Sequence, residues 1–273
     1  MRLIKYMVKA LITSPAVVGW SILYTLFWLT MGAYIFSATA SEVAALTYTA
    51  SWFATCVVIS ISSFAISLGF TLNYQTGGLS HLFRYSKLTP RYYLVSAYVS
   101  SLVCSFLLGL VLMVCSIGMF SHRFGVELFP KDLATVLFAI TIAAVFFASL
   151  SIVLNAVALK VTRKVRAAVF FAPFLVSYVS AMAYIYLKMG NLIYFNPFVC
   201  IQLLSMSGYL GEPPLQNFPD YQHLFQQTIN NVEKSSIPML FGSIIGWTVF
   251  LTVIALAILR QLYLKPVEEE RVV

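Results

Sequence analysis

Between Tyr74 and Tyr93 the chain reads YQTGGLSHLFRYSKLTPRYY, a basic and aromatic interruption between two long apolar segments. Arg84, Lys87 and Arg91 are spaced three and four apart, so they share one face of a helix. Leu79, Leu82 and Phe83 alternate with His81, Arg84 and Lys87. Such a stretch can lie on anionic lipid, dock its mixed face in a groove on a partner, or serve only to set topology. Gly77-Gly78 is expected to end the preceding helix and free the backbone. Thr89-Pro90 then restarts a helix that runs into the next apolar segment. The expected product is a short amphipathic helix inside a loop at 73–93.

Other chemistry is sparse. There is no G-x-x-x-x-G-K-[ST], so no phosphate-cradling loop, and no H-E-x-x-H or G-x-S-x-G. His81, His122 and His223 fall in three different loops. Cys56, Cys104 and Cys115 sit inside apolar runs and Cys200 follows Asn196-Pro197-Phe198, without metal-ligand spacing or a disulfide framework. No catalytic residue, metal ligand or cofactor of the chain's own is expected.

The elements around this stretch are membrane elements. Of 273 residues, 60% are hydrophobic and 10% charged, and the mean hydropathy is +0.89; soluble domains are about 25% charged. Apolar runs of about 20 residues identify an all-α polytopic membrane protein, since barrel strands alternate in segments of about 10. No cleavable signal peptide is expected, because the first apolar segment is too long for one. Six transmembrane helices are expected over 16–38, 43–72, 94–120, 133–159, 167–187 and 239–259. None contains Asp, Glu, Lys, Arg or His. Residues 1–14 form an N-terminal interfacial helix, with Arg2, Lys5 and Lys9 on one face and Leu3, Ile4, Met7, Val8 and Leu11 over much of the rest. Residues 15–265 make up the membrane domain and 266–273 a disordered tail.

With the N-terminus inside, the inner segments hold Arg2, Lys5, Lys9, Arg84, Lys87, Arg91, Lys160, Arg163, Lys164, Arg166, Arg260, Lys265 and Arg271, against Arg123, Lys131, Lys188 and Lys234 outside. The positive-inside rule then puts both termini in the cytoplasm. The net charge of +8 reflects topology and inner-leaflet lipid, which excludes a nucleic-acid partner. Ser41-Glu42 makes a tight first hairpin. The outer loop 188–238 carries Pro197–Ser207, an apolar run too short to span that fits a re-entrant segment. Gly211-Glu212-Pro213-Pro214 breaks it, and Tyr221–Glu233 is expected as a short surface helix through Leu224, Phe225, Ile229 and Val232.

The charge-free spans bear on function. Ion-coupled carriers place ionisable groups at depth, where the coupling ion binds. These spans offer only Asn155 and many Ser, Thr and Tyr, so energy for transport would enter from another chain. The clustered serines Ser60, Ser62, Ser63, Ser100 and Ser101 are read as helix-packing residues.

The pattern resembles the permease subunits of ABC transporters of the type-2 exporter class. The resemblance rests on Gly78-Leu79, then Leu88-Thr89-Pro90, between spans two and three, on Asn196-Pro197 with the apolar run after it, and on the six-span plan. It implies a separate ABC ATPase subunit carrying ATP and Mg, and a second permease copy or homologue paired as a dimer through spans two and five. It also implies an ATPase contact at Gly77, Gly78, His81, Leu82, Phe83, Arg84, Tyr85 and Lys87, with a lesser one at Arg163 and Lys164. Many family members carry acidic residues in the glycine segment; this chain has Gln75, Thr76 and Ser80 there. In span five Pro173 can kink the helix. Tyr178, Tyr184 and Tyr186 can line a cargo path or anchor at the interface. The smooth apolar interior favours a lipid-like or amphipathic cargo at the cell membrane. A non-transport membrane scaffold or assembly subunit is the alternative.

Overall fold

The computed structural model describes residues 2–39, 44–85, 88–221 and 233–264. Side chains at 2, 38–39, 76–84, 160, 163, 259 and 261–264 are outside the description. The expected Ser41-Glu42 hairpin, nearly all of the Tyr221–Glu233 helix, and the 266–273 tail lie outside the described residues. Helices α1 (Arg2–Ile12), α2 (Tyr24–Tyr34), α3 (Ala45–Tyr85), α4 (Pro90–Phe124), α5 (Leu133–Lys160), α6 (Arg163–Tyr186), α7 (Pro197–Leu210) and α8 (Ile237–Leu264) make up most of it. A π-helical segment, Val17–Leu23, precedes α2, and together they form the first span. The rest of the described chain is two short 3₁₀ turns, loops and one isolated bridge, Leu215 with Lys234. Six helical stretches are long and apolar enough to cross a membrane: 17–34, 45–75, 90–124, 133–159, 164–186 and 237–258. All six expected spans are therefore present in an all-α membrane protein.

The termini of these helices follow from local chemistry. Thr89 accepts a hydrogen bond from the Tyr92 amide at 3.2 Å, and Pro90 fills the first turn of α4, where its missing N–H costs nothing. Asn196 caps α7 through the Phe198 and Val199 amides, again with proline next. Gly125 and Gly211 end α4 and α7 in the left-handed conformation, at φ of 70° and 72°. Asp132 caps α5, accepting from the Thr135 hydroxyl at 2.5 Å and from the Thr135 amide at 3.1 Å.

Those bonds, the hydroxyl first, hold the Asp132 carboxyl below the usual carboxylate range. A depressed folded pKa stabilises the helix start above the unfolded pKa, and that contribution is lost as pH falls through the folded one. Amide exchange over Ala134–Val136, corrected for its intrinsic rate, should rise through that acid range. In Asp132→Asn the change should be absent, and identical profiles in the two proteins would contradict the cap.

α3 is the axis of the molecule. Ninety-four per cent of its most apolar window is buried, against 61% for α5, 33% for the first span, α4 and α6, and 22% for α8. α4, α5, α6, α7 and the first span surround it. Phe53, Val57 and Ile61 of α3 join Ala143, Phe146 and Phe147 of α5 and most of the apolar residues of α7 in the largest apolar cluster. A second cluster, toward the end rich in basic residues, joins Phe64, Leu68 and Leu72 of α3 to Leu94 and Ala97 of α4 and to Met7 and Leu11 of α1. The apolar face of α1 thus packs on the protein, while Lys5 and Lys9 stay exposed.

The apolar run after Asn196-Pro197 is α7, three residues longer than expected. Every residue of it but Phe198 is buried. It sits among α3, α5, α6 and α8. Its C-terminal end meets the start of α5, where the amides of Lys131 and Asp132 donate to the Tyr209 and Gly208 carbonyls at 3.1 and 2.9 Å.

One expectation fails. Gly77-Gly78 does not end the second span's helix, because α3 continues to Tyr85. Each glycine costs about 1 kcal/mol relative to alanine in a helix interior. That penalty does not stop a helix already nucleated, which adds one hydrogen bond for each residue fixed. The 41 residues of α3 reach roughly 60 Å at 1.5 Å per residue, about twice the ~30 Å hydrocarbon layer. The stretch expected as a separate short helix is the end of this rod.

Candidate functional site

The end of α3 is fastened to its neighbours just before it projects. Asn73 Nδ2 donates to Asn155 Oδ1 of α5 at 3.1 Å, and the Tyr93 hydroxyl of α4 donates to Gln75 Oε1 at 2.8 Å. Amide and phenol groups held this way inside an apolar bundle fix rotation and depth, which dispersion contacts alone do not. Gly69, about one turn before Asn73, is closely covered by the Phe170 ring of α6: a Cβ there would stand 2.7 Å from it.

Beyond these ties the backbone of Gly77, Gly78, His81, Leu82, Phe83 and Arg84 is helical, and Tyr85 ends the helix with its ring exposed. Lys87 lies outside the described residues. Leu88, Thr89 and Pro90 then turn the chain into α4. The tip is thus a helical continuation of the most buried helix of the fold.

The second basic connection, between α5 and α6, divides its charges. The Arg166 guanidinium donates from Nε to the Ala158 carbonyl at 3.0 Å, so it satisfies the exposed end of α5. Lys164 is exposed, and Arg163 opens α6 beside it. Lys164 is free for an outside contact, whereas Arg166 has an internal task that its place in a basic run does not reveal.

The three tyrosines of α6 do not converge on a path. Tyr178 stacks on Phe174, with ring centroids 6.3 Å apart. Tyr184 is 0% exposed, and its hydroxyl donates to the Leu215 carbonyl at 2.9 Å. Tyr186 is 75% exposed at the far end of the helix. α6 continues through Pro173, and the Ser177 hydroxyl bonds the Pro173 carbonyl at 2.6 Å. The ring row along this side is instead Trp20 on Phe171 and Tyr24 on Phe174, which bridges the first span and α6.

The polar groups buried between spans are neutral. Gln202 of α7 donates to the Thr55 hydroxyl at 2.9 Å. Tyr98, Ser149 and Thr252 bring three hydroxyls of α4, α5 and α8 within 3.1 Å of one another. These are ties between helices, without the paired acid and base that proton transfer requires. Among the described residues no three or more of His, Cys, Asp and Glu gather to hold a metal. The four cysteines are unpaired thiols.

Sequence reasoning singled out Asn155 as the one amide within the spans but not its partner Asn73. It named Gln75 only as a position where an acid is missing, and gave Tyr93 no role. A carboxamide at a predicted helix end is the signal available, and it does not say which neighbour answers it. The sequence matches no family model, and no curated protein is similar to it at a significant level.

Proposed function

We propose that this chain is the membrane-spanning permease subunit of an ABC exporter, driven by ATP and Mg held in a separate ATPase subunit. The observation that carries the reading is the projecting end of α3. It is helical to Tyr85, tied to α4 and α5 at Gln75 and Asn73, and joined directly to α4. An ATPase that closes against Gly77–Lys87 would tilt a rod rooted in the core, and the spans would rock with it. The absence of acids from this stretch makes the contact basic and aromatic. The bulk of the basic residues at this end supports a cytoplasmic site and cytoplasmic termini in the cell membrane.

Pairing with a second copy or homologue is part of the same reading. The resemblance assigns spans two and five to that interface. Span two is enclosed by its own chain, whereas α6, like the first span and α4, is only one third buried and so leaves a face open for a partner. The cargo in this reading is lipid-like or amphipathic, in keeping with the neutral interior.

Co-purification with a soluble ATPase, and ATP hydrolysis by the reconstituted complex screened against lipids, peptides and drugs, test the proposal. Charge reversal at Arg84 and Lys87 is expected to dissociate the ATPase while leaving the membrane domain folded, as judged by its thermal unfolding. A complex that survives the double reversal removes the role given to the basic tip.

A further inference from the structure

The winding of the first span sets up an exchange of hydrogen bonds. Over Val17–Leu23 the helix is π-helical, and the Tyr24 amide reaches back five residues to the Gly19 carbonyl. π turns inside α-helices are rare and concentrate at functional sites. Many buried hydroxyls elsewhere in the spans bond the carbonyl three or four residues back, as Thr49 does to Ala45, Thr55 to Ser51, Ser63 to Ile59 and Thr248 to Ile244. Ser21 and Thr25, like Ser105 and Ser116 of α4, do not. Ser21 and Thr25 are both 0% exposed, and neither hydroxyl has a partner. The carbonyl that Thr25 would use in an α-helix is that of Ser21, four residues back. That oxygen is taken from the other side by the Ser60 hydroxyl of α3, at 2.6 Å.

We infer that the first span is a two-register switch, with the Ser21 carbonyl as the acceptor exchanged between its states. In the register seen here, Ser60 holds that carbonyl and the helix stays wide. In the other, the segment tightens to α-helix, Thr25 bonds the Ser21 carbonyl, and Ser21 bonds that of Val17. Buried hydroxyls left without partners favour the second register, while the bond from α3 favours the first. Tightening turns one half of the span against the other by about one residue's rotation, on the order of 100°. The far half is pinned, because the Trp52 ring covers Gly32 and the Tyr48 hydroxyl donates to the Gly32 carbonyl at 3.0 Å. The turn is therefore taken up toward Ser14-Pro15 and passes to α1. Nothing in this depends on the transport reading.

The test is hydrogen–deuterium exchange of the Val17–Thr25 amides in lipid nanodiscs, with α7 amides as an internal control. Ser60→Ala should slow exchange there several-fold, because the segment relaxes into the tighter helix. Ser60→Thr, which keeps the hydroxyl, should behave as the parent. Ser60→Ala/Thr25→Val should lose most of the slowing, since Thr25 can no longer take the carbonyl. A bond that merely braces the structure gives the opposite sign, so faster exchange in Ser60→Ala overturns the switch, as does a double variant indistinguishable from it. Thr25→Val alone should leave exchange unchanged, because Thr25 bonds nothing in this register. A slowing in that variant counts against the switch even if Ser60→Ala does not fold, because losing the Thr25 hydroxyl can only disfavour the tighter register.

Discussion

Replacing Gly208 with alanine is expected to destabilise the protein by about 1–3 kcal/mol, the usual cost of forcing extra volume into a packed site. The added Cβ would stand 2.7 Å from the Val136 amide nitrogen, 2.8 Å from its Cγ2 and 3.1 Å from the Asp132 carbonyl oxygen. Two of those atoms are backbone, so no rotamer relieves the clash and α7 must move off α5. Moving it lengthens the bonds from Lys131 and Asp132 to the Tyr209 and Gly208 carbonyls. Gly242→Ala is the control. Its Cβ meets nothing within 4 Å, and in a helix interior alanine should gain about 0.5–1 kcal/mol over glycine. Thermal unfolding of the two purified variants should shift in opposite directions. An unchanged midpoint in Gly208→Ala would mean that α7 does not dock against α5 as described.

Tyr184→Ala should cost more, about 3–5 kcal/mol, as for other large aromatic-to-alanine changes in cores. Its ring packs on Phe218 at 5.9 Å, and its hydroxyl is held by the Leu215 carbonyl. Tyr184→Phe keeps the ring but leaves a buried carbonyl short of a donor, at about 1–3 kcal/mol. Tyr178→Phe, on a half-exposed ring, should leave stability nearly unchanged. This ordering separates two roles for the same residue. A tyrosine that touches cargo would alter transport at constant stability in the Phe variant. A tyrosine that holds the loop over α6 alters the unfolding midpoint first. Tyr184→Phe with the parent's midpoint and changed transport would contradict the structural role.

What the sequence could reveal follows the range of the forces involved. The spans were legible because the penalty for a charge in hydrocarbon acts on each residue independently of its neighbours. The starts of α4 and α7 were legible because Thr89-Pro90 and Asn196-Pro197 act within three residues. The run after Pro197 was readable as too short to span, although its burial on all sides depends on where four other helices lie. Gly77-Gly78 misled because glycine is a weak signal beside cooperative extension from a packed helix. Tyr184 misled because aromatic position in a span does not distinguish a lining ring from one locked to a loop 31 residues away. The π turns of the first span left no mark, since π and α winding share the same apolar composition. At the candidate site the basic tip was legible from charge spacing, whereas the Asn73–Asn155 and Gln75–Tyr93 ties depend on contacts across the bundle.

The enclosure of α3 also bears on how the chain is made. It leaves the ribosome second among the spans, and α4, α5, α6 and α7, which with the first span surround it, do not yet exist. Until they arrive it must stand in lipid with whatever hydrogen bonds it carries itself. Its sequence meets that condition: Thr49, Ser51, Thr55, Ser62, Ser63 and Thr71 all bond carbonyls of their own helix three or four residues back. Ser60 does not, and the carbonyl it uses belongs to the one span already synthesised. Later helices then add bonds onto oxygens that remain, as Gln202 does at Thr55 and Ser151 at the Ala65 carbonyl. The serine-rich face of α3 thus lets the central helix wait in the bilayer with most of its hydroxyl donors already paired, while the Asn73 amide waits for Asn155 of α5.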